Sequence, residues 1–507
     1  MFTRFTSLAI FTLTLALRHG SAASCESLQK LDLKNTAITL AQPVAAGAFQ
    51  SDGARRGNPF ANLPAFCRVA ATLTPSSDSE IKIEVWLPAQ GWNGKLRANG
   101  NGGWTGSIAP ATLASGVEHG YTSAMTDTGH QGGSASFALG HPEKLVDFGY
   151  RSTHEMTVAA KAIIRAYYGE SPKLSYFTGC SAGGRQALME AQRFPEDYDG
   201  IVAGAPGINW SGRAMQALWI SQAVHLVNNG PAGADASYIP PAKYQLIHEA
   251  VLSACDALDG VKDGVLENPL RCKFDPKNLE CKNGDAPGCL TTAQLDAVRK
   301  IYSPVVNRRT GAAVFPGFEP GSELGWSTMA GPQPFTIGLD LFRYVVFADP
   351  GWDFQRFDFD ADIARTEKAS GMLNALDPDL KKFSARGGKL IQYHGWSDPQ
   401  IAPESSLAYY KKVLDTMGAK DVPDFYRVFM VPGMAHCGGG DGTSTFDMLA
   451  ALEEWVEQKK APEHIAAARI RDGRTDRTRP LCPFPQVAKY KGSGSTDEAA
   501  NFTCEAP

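Results

Sequence analysis

The sequence predicts an α/β fold with a mostly parallel central sheet and a large inserted lid. Three observations carry this prediction. Short β-rich runs alternate with helix-period stretches through the first two-fifths of the chain and again after residue 387, the pattern of strands joined by covering helices. A G-x-S-x-G motif falls at one strand-to-helix junction, where such a motif carries chemistry. Between Trp210 and Arg386 the alternation stops, and Pro, Gly, Asp and four cysteines take its place.

The β-rich runs are "IKIEVWL" from Ile81, "KLRANG" from Lys95, "YTSAMTD" from Tyr121, "LSYFTG" from Leu174, "DGIVAGAP" from Asp199, "KLIQYHG" from Lys389 and "FYRVFMVPG" from Phe425. Helical patterns occupy residues 151–168, 183–194, 405–417 and 446–459. The expected division is a leader over 1–23, a catalytic domain over 24–209 and 387–507, and a lid over 210–386. An insertion behind a strand's carboxyl end sits above the crevice where open α/β sheets bind ligands.

With 507 residues, 43% of them hydrophobic and 20% charged, the chain can bury a large core. A formal net charge of -4 provides no basic footprint for nucleic acid or an anionic membrane. A small, neutral or weakly charged substrate is the better match. At the N-terminus Arg4 precedes an apolar run over residues 8–17, and Ser21 and Ala23 are small residues before a cleavage point; this is a secretory signal. The run is too short for a membrane span, which needs ~20 residues. The expected location is extracellular, or periplasmic in a bacterium.

Ten cysteines follow the leader, and in an oxidising compartment an even set implies disulfides. Sequence neighbours suggest Cys255–Cys272, Cys281–Cys289 and Cys482–Cys504, proximity then suggests Cys25–Cys67, and Cys180–Cys437 remains. The sequons at Asn209 and Asn501 agree with a secreted glycoprotein.

Gly179-Cys180-Ser181-Ala182-Gly183 has a β-rich run before it and a helical pattern after it. Ser181 is therefore the candidate nucleophile. A serine hydroxyl needs a histidine to take its proton and an acid to orient that histidine. In α/β-hydrolases these follow in the order Ser, acid, His, on loops after late strands. "YHGWSDP" offers Asp398 and "VPGMAHCGGG" offers His436, each where a strand should end. Asp441 and Asp353 are weaker candidates for the acid. Among other histidines, His130 and His154 precede the serine, and His394 reads as part of a buried strand. Cys180 adjoins the nucleophile and Cys437 adjoins the base, so a bond between them would staple the two loops together. The oxyanion hole is expected from the N–H of Ala182 and from Gly103 in "ANGNGGWTG", with Gly102 as the neighbouring choice.

In the lid, "CDALDGVKDGV" gathers Asp256, Asp259 and Asp263 with turn-forming glycines. Their mutual repulsion would be resolved by a hard cation, and Ca²⁺ suits because the carbonyls of Val261 and Val265 can complete an oxygen shell. The spacing is not that of an EF-hand, and the role expected is structural. No organic cofactor is expected.

Taken together, "GCSAGG", "SDP", "AHC" and "DALDGVKDGV" resemble the tannase and feruloyl esterase family of α/β-hydrolases. The resemblance implies a disulfide joining Cys180 to Cys437 beside Ser181, Asp398 and His436, and calcium held by Asp256, Asp259, Val261, Asp263 and Val265. It also implies a secreted serine esterase for small aromatic esters or plant cell-wall and polyphenol esters. Feruloyl or other hydroxycinnamoyl esters rank first, then galloyl esters, then a terephthalate monoester. Trp326, Phe342, Tyr344, Phe347 and Trp352 are expected to shape the acyl pocket. A peptidase with the same chemistry and a non-catalytic binding protein on an esterase scaffold are the competing readings.

Overall fold

The computed structural model describes residues 23–51, 58–225 and 237–507. The expected leader falls outside them except for Ala23. Nine strands form one sheet: β1 (Thr36–Val44), β2 (Phe66–Leu73), β3 (Ile81–Pro88), β4 (Lys95–Asn99), β5 (Thr122–Thr126), β6 (Leu174–Cys180), β7 (Gly200–Gly204), β8 (Lys389–Gly395) and β9 (Tyr426–Val431). Their order is β1-β2-β3-β5-β4-β6-β7-β8-β9. From β5 onward in that order every pairing is parallel, while β1, β2, β3 and β5 pair antiparallel.

β1 and β2 lie outside the runs read from the sequence. β1 is an edge strand, half-buried and irregular between Ile38 and Leu40, and it carries Pro43. An edge tolerates proline and needs no strong apolar alternation, so its sequence signal is weak.

The remaining strands are covered on both faces because successive side chains alternate between them. Tyr176, Val202, Ile391 and Phe429 meet α7 (Met448–Gln458) through Leu452 and Trp455. Their neighbours Phe177, Ile201, Leu390 and Val428 belong to the opposite face, which packs on α2 (Ser152–Tyr168), α3 (Ala182–Arg193) and α6 (Glu404–Met417). α1 (Pro110–Glu118) covers Trp86 and Met125 near the antiparallel end.

Among the described residues between β7 and β8 no strand joins the central sheet. That stretch contains α4 (Trp210–Val224), α5 (Ala242–Cys255), further helices over Thr292–Tyr302 and Asp362–Ser370, a small hairpin of Val305–Val306 with Ala313–Phe315, and short helical turns. Its core includes Trp219, Ile247, Val298 and Trp326, and it continues without a break into Trp104, Ala182 and Ile401 at the sheet's crest. After α7 the chain forms two hairpins, β10 (Ile465–Arg471) with β11 (Arg474–Leu481) and β12 (Val487–Tyr490) with β13 (Phe502–Glu505). All five disulfides have the expected pairings, Cys25–Cys67, Cys180–Cys437, Cys255–Cys272, Cys281–Cys289 and Cys482–Cys504.

The crest depends on close backbone approach. A Cβ at Gly184 would lie 2.3 Å from the carbonyl oxygen of Gly204, so helix α3 could not seat against β7. Gly184→Ala is expected to lower unfolding stability by about 1–3 kcal/mol. Gly133→Ala is the control, since nothing lies within 4 Å of its added methyl. Equal denaturant midpoints for the two variants would contradict this account.

Candidate active site

β6 ends in a turn too tight for ordinary residues. Ser181 has φ 63° and ψ -120°, a backbone conformation that a residue with a Cβ adopts only at a cost of about 1–3 kcal/mol. Neighbouring contacts hold it there. Its N–H donates to Gly204 O at 3.0 Å, and its carbonyl accepts from Arg185 N and Gly207 N, both at 3.1 Å. A Cβ at Gly179 would come within 2.4 Å of Gly183 O, so the motif's first glycine serves close packing. The result exposes a side chain at the sheet's crest, directly before helix α3.

Asp398 follows β8 and is fully buried. Its Oδ1 accepts from Gln400 N at 2.8 Å and Ile401 N at 3.0 Å. Its Oδ2 faces His436 Nδ1 at 2.7 Å. An ionised carboxylate only accepts, so Nδ1 carries the proton and Nε2 keeps the lone pair a general base needs. Burial alone would raise the Asp398 pKa, but the imidazoles of His436 and His394 outweigh it and hold the carboxyl well below the usual range.

His436 follows β9, and Cys437 after it has φ 62°. The disulfide places the Cα atoms of Cys180 and Cys437 6.0 Å apart, which brings the loops of Ser181 and His436 to one place. Ser181 Oγ and His436 Nε2 make no direct hydrogen bond. Such contacts often tighten only once substrate is bound.

The glycine-rich loop after β4 is clamped from several directions. Asn101 N donates to Gln186 Oε1 of α3 at 2.9 Å, and Asn101 Nδ2 donates to Thr126 O at 2.9 Å. Trp104 Nε1 donates to Ile337 O of the lid at 2.8 Å. Gly103 has φ 51°. Among the described residues the N–H groups of Gly103 and Ala182 have no backbone or side-chain acceptor, so both are available to an oxygen anion.

Two histidines set aside in the sequence reading contribute here. His394 Nε2 lies 3.1 Å from Asp398 Oδ2 and 3.1 Å from Ile401 O, while its Nδ1 lies 2.7 Å from Ser406 Oγ. Two acceptors on Nε2 place the proton there, and Ser406 can donate to Nδ1. His130 supports the oxyanion loop, with Nε2 2.7 Å from Trp104 O and its ring stacked on Phe137. Burial lowers its pKa, which suits a neutral ring. The only sequence signal for His394 was its place four residues before Asp398. His154 pairs with Asp197 at 2.7 Å instead. Asp353 caps a short helix, and Asp441 approaches His248 at 3.8 Å; neither reaches His436.

The lid aromatics are arranged differently from the expectation. Trp326, Phe342 and Trp352 are buried in the lid's core, with Phe342 and Trp352 stacked at 5.5 Å. Tyr344 and Phe347 are half-buried, and Phe347 is stacked on Trp352 at 4.6 Å. The lid reaches the oxyanion loop through Ile337 instead, whose Cδ1 lies 3.0 Å from where a Cβ on Gly103 would be.

The acidic loop follows α5. Asp259, Val261, Asp263 and Val265 border one small cavity of about 20 Å³, joined there by Glu267, which the sequence reading missed. Asp256 turns to the loop's backbone and accepts from Gly264 N at 3.0 Å. Burial, helped by the charges of Asp263 and Asp256, pushes Asp259 up to about 6, and burial pushes Glu267 up to about 8. Arg479 Nη2 lies 2.5 Å from Asp263 Oδ2. Among the described residues no three His, Cys, Asp or Glu groups are arranged as a metal site. The donors are nonetheless all oxygens, crowded acids around a space of ion size, and that chemistry fits Ca²⁺.

The central sheet, the turn at Ser181 and the order Ser181, Asp398, His436 place the chain in the α/β-hydrolase class. Residues 67–505 match the family model described as tannase and feruloyl esterase. An uncharacterised esterase of Xanthomonas campestris pv. campestris is 39% identical, covering 96% of this chain and 92% of the relative. The crystal structure of an esterase from Aspergillus oryzae superposes with a TM-score of 0.88 at 33% identity, over 95% of this chain and 99% of that one. Feruloyl esterase B from Aspergillus oryzae gives a TM-score of 0.86 at 32% identity, with the same coverage. The chain belongs to the tannase and feruloyl esterase family and is a carboxylic ester hydrolase.

Because His394 shares the oxygen that orients His436, His394→Gln is expected to lower kcat roughly 10- to 100-fold, as small displacements of a base do, with KM little changed. The acid limb of the pH–rate profile should move as well. Unchanged kinetics would show that the Gln400 and Ile401 N–H groups hold Asp398 unaided.

Proposed function

We propose that this protein is a secreted serine esterase that cleaves esters of aromatic carboxylic acids through an acyl-enzyme, hydroxycinnamoyl esters foremost. The observation that carries this reading is the bonded pair of Asp398 and His436, tied through Cys437 and Cys180 to a serine in a strained turn. His436 Nε2 takes the Ser181 proton as Oγ attacks the ester carbonyl. The oxyanion is held by the N–H groups of Gly103 and Ala182, and such a donor is worth about 3 kcal/mol. Collapse expels the alcohol, which receives the proton from His436. Water then repeats the sequence on the acyl-enzyme and releases the acid. Asp398 remains ionised and balances the imidazolium charge.

The hydroxycinnamoyl preference is supported by the likeness to feruloyl esterase B from Aspergillus oryzae. Secretion is supported by the N-terminal pattern and five disulfides. No helix among the described residues is long and apolar enough to cross a membrane.

A fluorophosphonate is expected to label Ser181 and not a Ser181→Ala variant, as read by peptide mass. Across methyl ferulate, methyl gallate and a terephthalate monoester, kcat/KM should be highest for the ferulate. An unlabelled Ser181 would remove the acyl-enzyme, and a different ranking would remove the substrate assignment.

A structural Ca²⁺ in the lid belongs to the same proposal, held by Asp259, Asp263 and Glu267 with the carbonyls of Val261 and Val265, while Asp256, expected among the ligands, instead braces the loop's backbone. In chelator, the raised Glu267 carboxyl makes ionisation unfavourable in the folded state. Its penalty is absent below the ordinary value of 4.5, grows as pH rises, and is complete above about 8. Ca²⁺ binds the ionised form, so its addition is expected to raise Tm more at the alkaline end of that window than at the acid end. Asp259→Asn should abolish the increment. A Tm indifferent to Ca²⁺ and to chelator would overturn the site.

A further inference from the structure

His248 lies on α5, buried at the seam between the lid and the loop of His436. Its Nδ1 lies 2.8 Å from Glu323 Oε2. Glu323 is buried in the lid, and its other oxygen accepts from Tyr302 Oη and from Gly321 N, both at 2.7 Å. On the opposite side of the ring, Nε2 stands at an ion-pair distance of 3.8 Å from Asp441 Oδ2. A carboxylate only accepts, so Nδ1 carries a proton in either charge state of the ring. Only the imidazolium has a second proton, on Nε2, with which to attract Asp441. The neutral ring turns a lone pair toward that carboxylate instead.

Each end of this bridge is fixed to one member of the acid–base pair. The segment that carries Glu323 is seated on the Asp398 loop: Glu404 N donates to Glu319 Oε1 at 3.0 Å, and a Cβ on Gly325 would lie 2.4 Å from Pro399 Cγ. Asp441 closes the hairpin that presents His436. There Ala435 N donates to Gly439 O at 3.2 Å and Gly442 N donates to Gly433 O at 3.1 Å, so Asp441 stands at the hairpin's base and Cys437 near its tip. The other charged groups around the bridge are Glu249 on α5 and two arginines of β10. Arg469 Nη1 donates to Asp441 O at 2.8 Å, and Arg471 Nη2 stands 3.9 Å from Asp441 Oδ1. Burial disfavours the cationic form of His248, but Glu323, Asp441 and Glu249 outweigh it and raise the pKa above the ordinary 6.5.

We propose that His248 is a positioning residue for the esterase site: held as a cation between Glu323 and Asp441, it ties the base of the His436 hairpin to the lid segment seated on the Asp398 loop. The proposal rests on the esterase reading of the Ser181 site and adds to it a control by pH over where the base is held. When His248 loses its second proton, Asp441 is released, and the hairpin base is left to Arg469, Arg471 and the packing of Met434. The sign follows from the raised pKa. The tie is complete below the ordinary value of 6.5 and is lost as pH climbs through the higher folded-state value.

The test compares the wild type, His248→Gln and the less buried Asp441→Asn across the histidine range of pH, with methyl ferulate as substrate. At the acid end both variants are expected to have kcat roughly 10-fold below the wild type, less than the ~100-fold of a ~1 Å misplacement. At the alkaline end they should converge on it, with KM unchanged throughout. The ratio of wild type to variant cancels the titration of His436 itself, and a merely structural defect would leave that ratio the same at every pH. A constant ratio in both variants overturns the proposal. Carbon–proton NMR of the histidine rings needs no turnover. In the wild type the His436 signal is expected to show a second inflection at the pH where His248 titrates, absent from both variants, and the His248 midpoint should fall in Asp441→Asn. A His436 signal indifferent to His248 also overturns the positioning role. If His436 senses His248 while no ester is cleaved, the positioning stands and the esterase reading alone fails.

Discussion

The Cys180–Cys437 bond is the constraint on which the rest of the site depends. Ser181 leaves β6 and His436 leaves β9, with β7 and β8 between them. Strands lie about 4.8 Å apart, so the two exits are separated by roughly 14 Å along the crest. The bonded Cα atoms are 6.0 Å apart. The His436 loop must therefore bend back across the ends of β7 and β8, and Asp398, at the end of β8, lies beneath its path. The first part of that loop is held by packing, since Met434 is buried in the sheet's core cluster and its carbonyl accepts from Ser397 N at 3.0 Å. The bond adds a covalent tie further along, where His436 and Cys437 are only half-buried. Its closed loop of 257 positions also contributes about 5 kcal/mol in the chain-entropy picture, but the spatial consequence is the larger one.

Strain is distributed around this bond. Ser181 and Cys437 both have positive φ, and each adjoins or forms one end of the bridge. Neither conformation would persist in a free loop. The Gly204 and Gly207 contacts restrain the serine. On the acid side, four hydrogen bonds converge on the two oxygens of Asp398. A buried carboxylate satisfied in this way keeps its charge at low pH, and that charge fixes the tautomer of His436. Covalent, backbone and electrostatic restraints thus determine three different degrees of freedom of one side-chain array.

Legibility from the sequence followed how local each signal was. The tight turn at Ser181 and the meeting of Asp398 with His436 could be anticipated because each residue lies at the end of a strongly apolar strand, beside a motif or a turn residue. The disulfides could be read because their sequence neighbours paired first. β1 could not, since an edge strand needs little apolar alternation. His394 looked like strand filling, and only the curl of the chain from residue 394 to 398 turns its Nε2 onto Asp398. The lid aromatics carried no mark of direction: the sequence of Trp326 or Phe342 is the same whether the ring faces substrate or the lid's own centre.

The lid's core bears on whether the lid can move. Trp104 and Ala182 belong to the sheet's crest, Trp210 begins the inserted segment, and Trp326 lies deep within it, yet all four share one apolar cluster. Swinging the lid away as a body would expose that junction. Each buried tryptophan represents about 150–250 Å², or roughly 4–6 kcal/mol at 25 cal/mol per Å². Two or three such side chains would make full opening rarer than one event in thousands. The inserted segment and the crest are accordingly packed as one unit around a single apolar core.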